Sequence, residues 1–265
     1  MMKNLIGILC FLWLTGLSAQ NNDLPEKSFK SGEWFQFRIH YGIFNASFAT
    51  LEVKDDNLNG KSVHHVIGKG KTTGIASWFF KVDDNYETYI DKEDNKPYKF
   101  IRQISEGGHT KNIEINFDHT NKEAFYHDKK RNRKKTIPIN EGVHDMVSTF
   151  YYLRDKVDIE KLQVNDEFTL DMLYDDDETF KFRLKYLGKD IIRTKFGKIE
   201  CLKFRPYVQS GRVFKEQESL TVWVSNDLNK IPMRIKADLA VGSIKADLHA
   251  FKGLKHQFKI VVKKR

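Results

Sequence analysis

Phe180-Lys181-Phe182-Arg183-Leu184-Lys185-Tyr186 alternates large apolar side chains with basic ones. Successive side chains on a strand point to opposite faces, so such a run has one buried face and one wet face. The same alternation recurs in Phe35-Gln36-Phe37-Arg38-Ile39-His40-Tyr41, where Phe35, Phe37, Ile39 and Tyr41 form the apolar set. Strands of this kind build antiparallel sheets with one dry side. Turn clusters punctuate the chain between such runs, among them Asp55-Asp56-Asn57, Asn59-Gly60, Gly107-Gly108, Asp175-Asp176-Asp177 and Asn226-Asp227. The expected fold class is all-β.

Two segments depart from period two. Ile75, Trp78 and Phe79 have the i, i+3, i+4 spacing of a short helix. Met146, Val147, Phe150 and Leu153 form an apolar stripe on a longer one, expected over about 143–154, with Asn140 or Asp145 as its cap.

Laying the chain on itself exposes a repeat. Phe35, Phe37, Ile39 and Tyr41 align with Phe168, Leu170, Met172 and Tyr174, and Leu51 and Val53 align at the same offset with Leu184 and Tyr186. Gly60-Lys61 aligns with Gly197-Lys198, and Lys96-Pro97-Tyr98 with Ile231-Pro232-Met233. Each proline follows a turn and opens an alternating run, and the first residue of a strand is one of the few sheet positions proline tolerates. The reading is two six-strand meanders, over residues 33–118 and 166–251. A hairpin-helix insert over 119–165 separates them.

The first residues read as a leader. Lys3 precedes an apolar run from Leu5 to Leu17, and Ser18-Ala19-Gln20 follows. A positive start, a short apolar run and a small residue at the cut describe a secretory signal peptide over residues 1–19. Cys10 lies inside the apolar run and not at its end, so it does not read as a lipidation site. Cys201 is then the lone cysteine of a single mature domain over 20–265, which excludes an internal disulfide. The chain carries 45 Lys and Arg against 36 Asp and Glu, a formal net charge of +9. An exported basic protein meets lipid head groups or acidic partners, and nucleic acid is not an expected partner. The expected location is the periplasm.

Three segments together resemble a family. They are Gly32-Glu33-Trp34-Phe35, then Asp145-Met146-Val147-Ser148 with Phe150-Tyr151-Tyr152-Leu153-Arg154, and then Val222-Trp223-Val224-Ser225-Asn226-Asp227 with Ile231-Pro232 and Gly242-Ser243-Ile244-Lys245-Ala246. They resemble the exported bacterial family catalogued as domain of unknown function 3108, over about 30–252. The stretch from Trp223 to Pro232 is also similar to the periplasmic lipoprotein carriers, which are curved half-barrels that hold acyl chains. The resemblance implies a fold and a compartment, and no catalytic residues.

Familiar chemistry is missing. Gly68-Lys69-Gly70-Lys71-Thr72 resembles the end of a phosphate-binding loop, but His65 stands where the opening glycine is required. That segment reads as a strand end with a flexible turn, and no cofactor is expected. His64 and His65 are neighbours on a strand and face opposite ways. His109, His119, His127 and His144 lack ligand spacings, so no metal site is expected. There is no Gly-x-Ser-x-Gly elbow, and Cys201 continues a strand alternation as inert packing. The chain is not expected to be an enzyme.

Two groups of side chains remain. Trp78, Phe79 and Phe80, with Met146, Phe150 and Tyr151, are candidates to line a ligand groove. Lys129, Lys130, Arg131, Arg133, Lys134 and Lys135 crowd the tip of the insert hairpin, where they suit an anionic membrane surface or envelope partner. The expected architecture is a curved antiparallel sheet, an incomplete or half barrel of about 12 strands, with the longer helix in its concave face. A two-sheet sandwich is the alternative. The functional expectation is a periplasmic binder or carrier of an apolar, lipid-like ligand, and the alternative is a solid-cored structural module of the envelope. N-terminal sequencing of protein recovered from the periplasmic fraction is expected to begin at Gln20; a retained Met1 would contradict the leader.

Overall fold

The computed structural model describes residues 26–73, 81–175, 178–207 and 220–260. The leader and the segment containing Ile75, Trp78, Phe79 and Phe80 lie outside the described residues. The first half contains β1 (Trp34–Tyr41), β2 (Phe44–Leu58), β3 (Lys61–Thr72), β4 (Asp83–Asp91), β5 (Pro97–Glu106) and β6 (His109–Asp118). The insert adds β7 (Glu123–Asp128), β8 (Arg133–Pro138) and a helix, α1 (Met146–Lys156). The second half contains β9 (Glu167–Met172), β10 (Phe180–Thr194), β11 (Gly197–Tyr207), β12 (Leu220–Ser225), β13 (Pro232–Asp238) and β14 (Ser243–Lys252).

All fourteen strands form one antiparallel sheet in the order β8-β7-β6-β5-β4-β3-β2-β1-β14-β13-β12-β11-β10-β9. The two meanders meet where β1 pairs with β14, and the two edges are β8 and β9. The sheet curls towards closure. Lys111 on β6 is ion-paired with Asp175, just beyond β9, although β6 and β9 stand far apart in the strand order. Residues 139–144 strap the two edges together. Ile139 N donates to Lys122 O at 2.9 Å beside the β7–β8 hairpin, and His144 exchanges backbone hydrogen bonds with Asp171 and Leu173 at 2.9 Å each. The result is an incomplete barrel with β8 and β9 unpaired to each other.

The halves share strand order and register. Phe35 faces Leu51 and Phe37 faces Ala49 across β1–β2; Phe168 faces Leu184 and Leu170 faces Phe182 across β9–β10. Pro97 faces Ile90 and Pro232 faces Val224, each just after a register shift at the matching place. These coincidences support reading the two halves as an internal duplication.

Several local expectations are corrected. Gly68-Lys69-Gly70-Lys71-Thr72 is no turn; it lies within β3, paired to β2 on one side and, through Lys71, to β4 on the other. His40 keeps the face opposite Phe35 and Phe37 but is buried there against Asp247 of β14, with 2.8 Å between ring nitrogen and carboxylate, and Tyr41, at the end of β1, is exposed. The helix starts three residues later than expected because Asp145 is its cap. The Asp145 carboxylate accepts from Val147 N at 2.7 Å and Ser148 N at 2.9 Å, and Ser148 Oγ accepts from Asp145 N, a reciprocal capping box. Thr88 on β4 donates to the same carboxylate at 2.6 Å, which pins the helix start to the first half.

The helix end is held by a buried charge. Val147, Tyr151 and Arg154 lie on one helical face, and Arg154 is 3% exposed. Its Nη1 and Nη2 donate to the two Glu33 oxygens at 2.6 and 2.8 Å, and its Nε donates to Asn229 O at 3.0 Å. The rings of Phe29, Phe35, Phe150 and Tyr151 surround the guanidinium at 5.3–5.6 Å. Glu33 is set just before β1 where two chain segments cross: a Cβ on Gly253 would collide with the Gly32 carbonyl. Removing one member of a fully buried pair leaves an uncompensated charge, at a cost of about 3–5 kcal/mol. Arg154→Met and Glu33→Leu are each expected to lower stability by that amount in urea unfolding, and the double variant by clearly less than their sum. Additive losses would show that the pair is not coupled.

Candidate functional site

The inward faces of the curled sheet do not close on the helix everywhere. On the first-half side, Val147 and Tyr151 pack with Val53, Val66, Ile90 and Phe100 in a dense core. On the second-half side a chamber of about 960 Å³ remains. That volume is within the range of small-molecule sites, about 300–1,000 Å³. Met146, Phe150 and Leu153 form its helical wall, and Leu184, Phe204 and Val224 belong to the facing sheet. These strand residues face inward because β10, β11 and β12 keep the alternation seen in their sequences.

One end of the chamber is polar. Arg102 on β5 lies over the Tyr174 ring at 4.1 Å and approaches Asp175 at 3.5 Å; Lys111 is ion-paired with the same carboxylate. Arg102 is 7% exposed, yet its Nε and Nη1 have no hydrogen-bond partner. A buried donor left unmade is costly, so this is the site's most demanding group. Burial also pushes the Tyr86 and Tyr174 phenols up, keeping both neutral. Nearby, burial and a hydrogen bond with Glu106 raise the Asp84 carboxyl to about 6. Lys230 borders the opposite end, where its ammonium donates to Ser28 Oγ at 2.9 Å and Arg154 O at 2.6 Å.

The groove candidates divide. Met146 and Phe150 line the chamber, and Met146 is 39% exposed. Tyr151 is fully buried on the other side of the helix, edge-on to Phe29 at 4.6 Å, and belongs to the core. Trp78, Phe79 and Phe80 lie outside the described residues. The basic residues occupy the β7–β8 turn and the start of β8, and all six are exposed. They are more tied than a free tip. Lys129 Nζ donates to Glu114 at 2.6 Å, Lys130 to Thr110, and Arg131 to Asp128 at 3.4 Å. His64 packs beside Phe29 at 5.4 Å while His65 stacks on Tyr89 at 4.1 Å, on opposite faces of β3. Cys201 is buried in β11, where burial pushes its thiol up to about 12.

Sequence reading missed Arg102, Tyr86, Tyr174 and Lys111. Arg102 shares its strand face with Phe100 and Ile104, so a cation on an inward face was the available signal.

The family model described as protein of unknown function (DUF3108) matches residues 36–249. No curated protein matches the chain. Among solved structures, a β-barrel-like protein of the domain of unknown function DUF1849 from Brucella abortus has a TM-score of 0.55 at 10% identity, covering 84% of this chain and 98% of its own. That likeness is one of fold. A Bacteroides fragilis protein with YmcC-like fold, provisionally described as exported, has a TM-score of 0.35 at 8% identity, covering 84% of this chain and 97% of its own.

The two aromatic neighbours on the helix separate core from chamber. Tyr151→Ala is expected to cost about 3–5 kcal/mol in chemical denaturation, as for a buried aromatic in close packing. Phe150→Ala, facing the chamber, is expected to cost clearly less. Equal losses would mean that the chamber wall is packed core.

Proposed function

The chain belongs to the family described as protein of unknown function (DUF3108), and from its chamber we propose that it is a non-catalytic periplasmic binder or carrier of a lipid-like ligand. The observation that carries this reading is the chamber itself: about 960 Å³ between an aromatic helix face and the apolar inner face of β10–β12. A void of that size lined by Phe150, Leu184 and Phe204 forfeits dispersion contacts unless something apolar fills it. It weighs against the solid-cored structural module. The polar end selects orientation. The Arg102 Nε, which has no hydrogen-bond partner, suits an acceptor such as an ester or amide carbonyl. The carboxylates of Asp175 and Glu106 nearby offset the local positive charge, so a neutral acceptor fits better than a second anion.

The chemistry at hand supports binding over turnover. A thiol held near 12 is no nucleophile at neutral pH. Asp84 and Glu106 share a hydrogen bond, whereas glycosidase carboxyls stand about 5 Å or more apart. The periplasmic location rests on the Lys3, Leu5–Leu17, Ala19 leader pattern.

Native mass spectrometry of protein purified without detergent tests the reading. The expected result is a noncovalent adduct of lipid mass that disappears after solvent extraction and returns on incubation with extracted lipid. Only the bare mass, before and after incubation, would refute it.

A further inference from the structure

Antiparallel pairing decides which turns share a rim of the sheet. β1 ends at Tyr41, where β2 begins at Phe44 and β14 at Ser243. Continuing strand by strand, the same rim holds the ends of β3, β5, β7, β9 and β13. The chamber reaches it, because Glu106 and His109 on its wall flank the β5–β6 turn.

Among the described residues, the most exposed large apolar side chains are Ile43 at 89%, Val241 at 77% and Phe44 at 71%. All three stand on this rim, in the β1–β2 and β13–β14 turns. The two turns are built together. The Tyr41 hydroxyl donates to Val241 O at 3.0 Å, and Gly242, at φ +73°, lies so close to the Tyr41 ring that a Cβ there would strike it. Apolar side chains displayed on a braced pair of turns cost solubility with no return in folding, and grouped exposure of this kind marks an interaction surface. Farther along the rim stands the basic β7–β8 turn, with Lys129, Lys130, Arg131 and Arg133 exposed. Of the rim carboxylates, Asp83 and Asp238 are paired with Lys71 at 3.7 Å and Lys236 at 2.8 Å and Asp175 with Lys111, while Glu178, before β10, is exposed.

We propose that this rim docks on an anionic lipid bilayer, with Ile43, Phe44 and Val241 entering the interface and the basic turn on the head groups. The apolar and basic turns lie on one rim, separated by the width of β2–β7. The boundary between head groups and acyl chains supplies both complements, hydrocarbon for the tips and negative charge for the cations. Docking so oriented puts the chamber's polar end towards the membrane. The proposal does not need the chamber to be filled.

Cosedimentation of the full chain with vesicles of phosphatidylglycerol and phosphatidylcholine tests it. The parent is expected to pellet with the vesicles, and less so as salt rises. Ile43→Ser, Phe44→Ser and Val241→Ser should each lower partitioning about tenfold, since burying such a side chain is worth that factor or more. Replacing Lys129, Lys130, Arg131 and Arg133 by Ser should weaken binding and flatten its salt dependence. Phe44→Trp should shift its emission to the blue when vesicles are added. All these positions are exposed, so circular dichroism should be unchanged, and the native adduct of the chamber should persist in the tip variants. Three results would overturn the proposal. One is a parent that stays in the supernatant. Another is a triple Ser variant that binds like the parent. The third is a parent that dimerises without lipid and becomes monomeric with Phe44→Ser, which assigns the patch to a second copy of this chain.

Discussion

The Arg154–Glu33 pair is the constraint on which the architecture hangs. An open curved sheet has no intrinsic reason to hold a helix at one depth, and the apolar stripe of α1 alone would permit sliding. A bidentate guanidinium–carboxylate bond does not. It joins the helix end to the residue before β1, while Asn229 O and Ser28 O take further donors of the same guanidinium at 2.8 and 3.3 Å. Ser28, Lys230 and Asp155 extend this hub: Ser28 N donates to Asp155 at 2.7 Å, and Asn95 donates to the other Asp155 oxygen at 2.7 Å. The turn before β5, the β12–β13 turn and the N-terminal segment are thereby tied to one helix terminus. Such a network costs much to desolvate, and its return is a single geometry.

That fixed helix explains why one side of the interior is packed and the other is hollow. Asp145 at its start is bonded to Thr88 on β4, and Tyr151 fills the space towards the first half. Towards the second half the helix end packs Leu153 on Leu170, Met172 and Phe182, and the C-cap Val157 on Tyr186, Leu202 and Phe204, while Phe150 borders the chamber. The matching registers of the two halves make this asymmetry a property of the insert. The hairpin and helix occur once, between the halves, and so lie against them unequally. The chamber's polar end has the same origin, because curling brings Tyr174 and Asp175, beyond β9, against Arg102 and Lys111 of the opposite half.

Much of this was legible in the residues. Period-two runs such as Phe180 to Tyr186 mark strands because alternation is a local property of extended backbone. The matching offsets of Phe35 with Phe168 and of Pro97 with Pro232 marked two like meanders for the same reason. The stripe from Val147 to Leu153 marked the helix. Exposure was misjudged where a distant partner or a strand end decides it. His40 keeps the wet face of β1 yet is buried against Asp247 of β14, and Tyr41 ends its strand at the rim of the sheet, exposed. The glycines of Gly68-Lys69-Gly70 suggested a turn, but pairing on both sides holds them extended.

By itself the sequence determined the strands, their antiparallel kind, the pairing within each meander and the presence of one long helix, since each depends on side chains close along the chain. It also carried the excess of basic residues and their crowding at one hairpin. Only the tertiary structure decided that β1 joins β14, that Glu33 meets Arg154, that Phe150 faces a cavity while Tyr151 beside it is core, and that Ile43 and Val241 share a rim. Those outcomes depend on curvature and on contacts between distant residues. The residue types along the chain are compatible with several such arrangements, and the closing of the sheet around a charged helix end selects one.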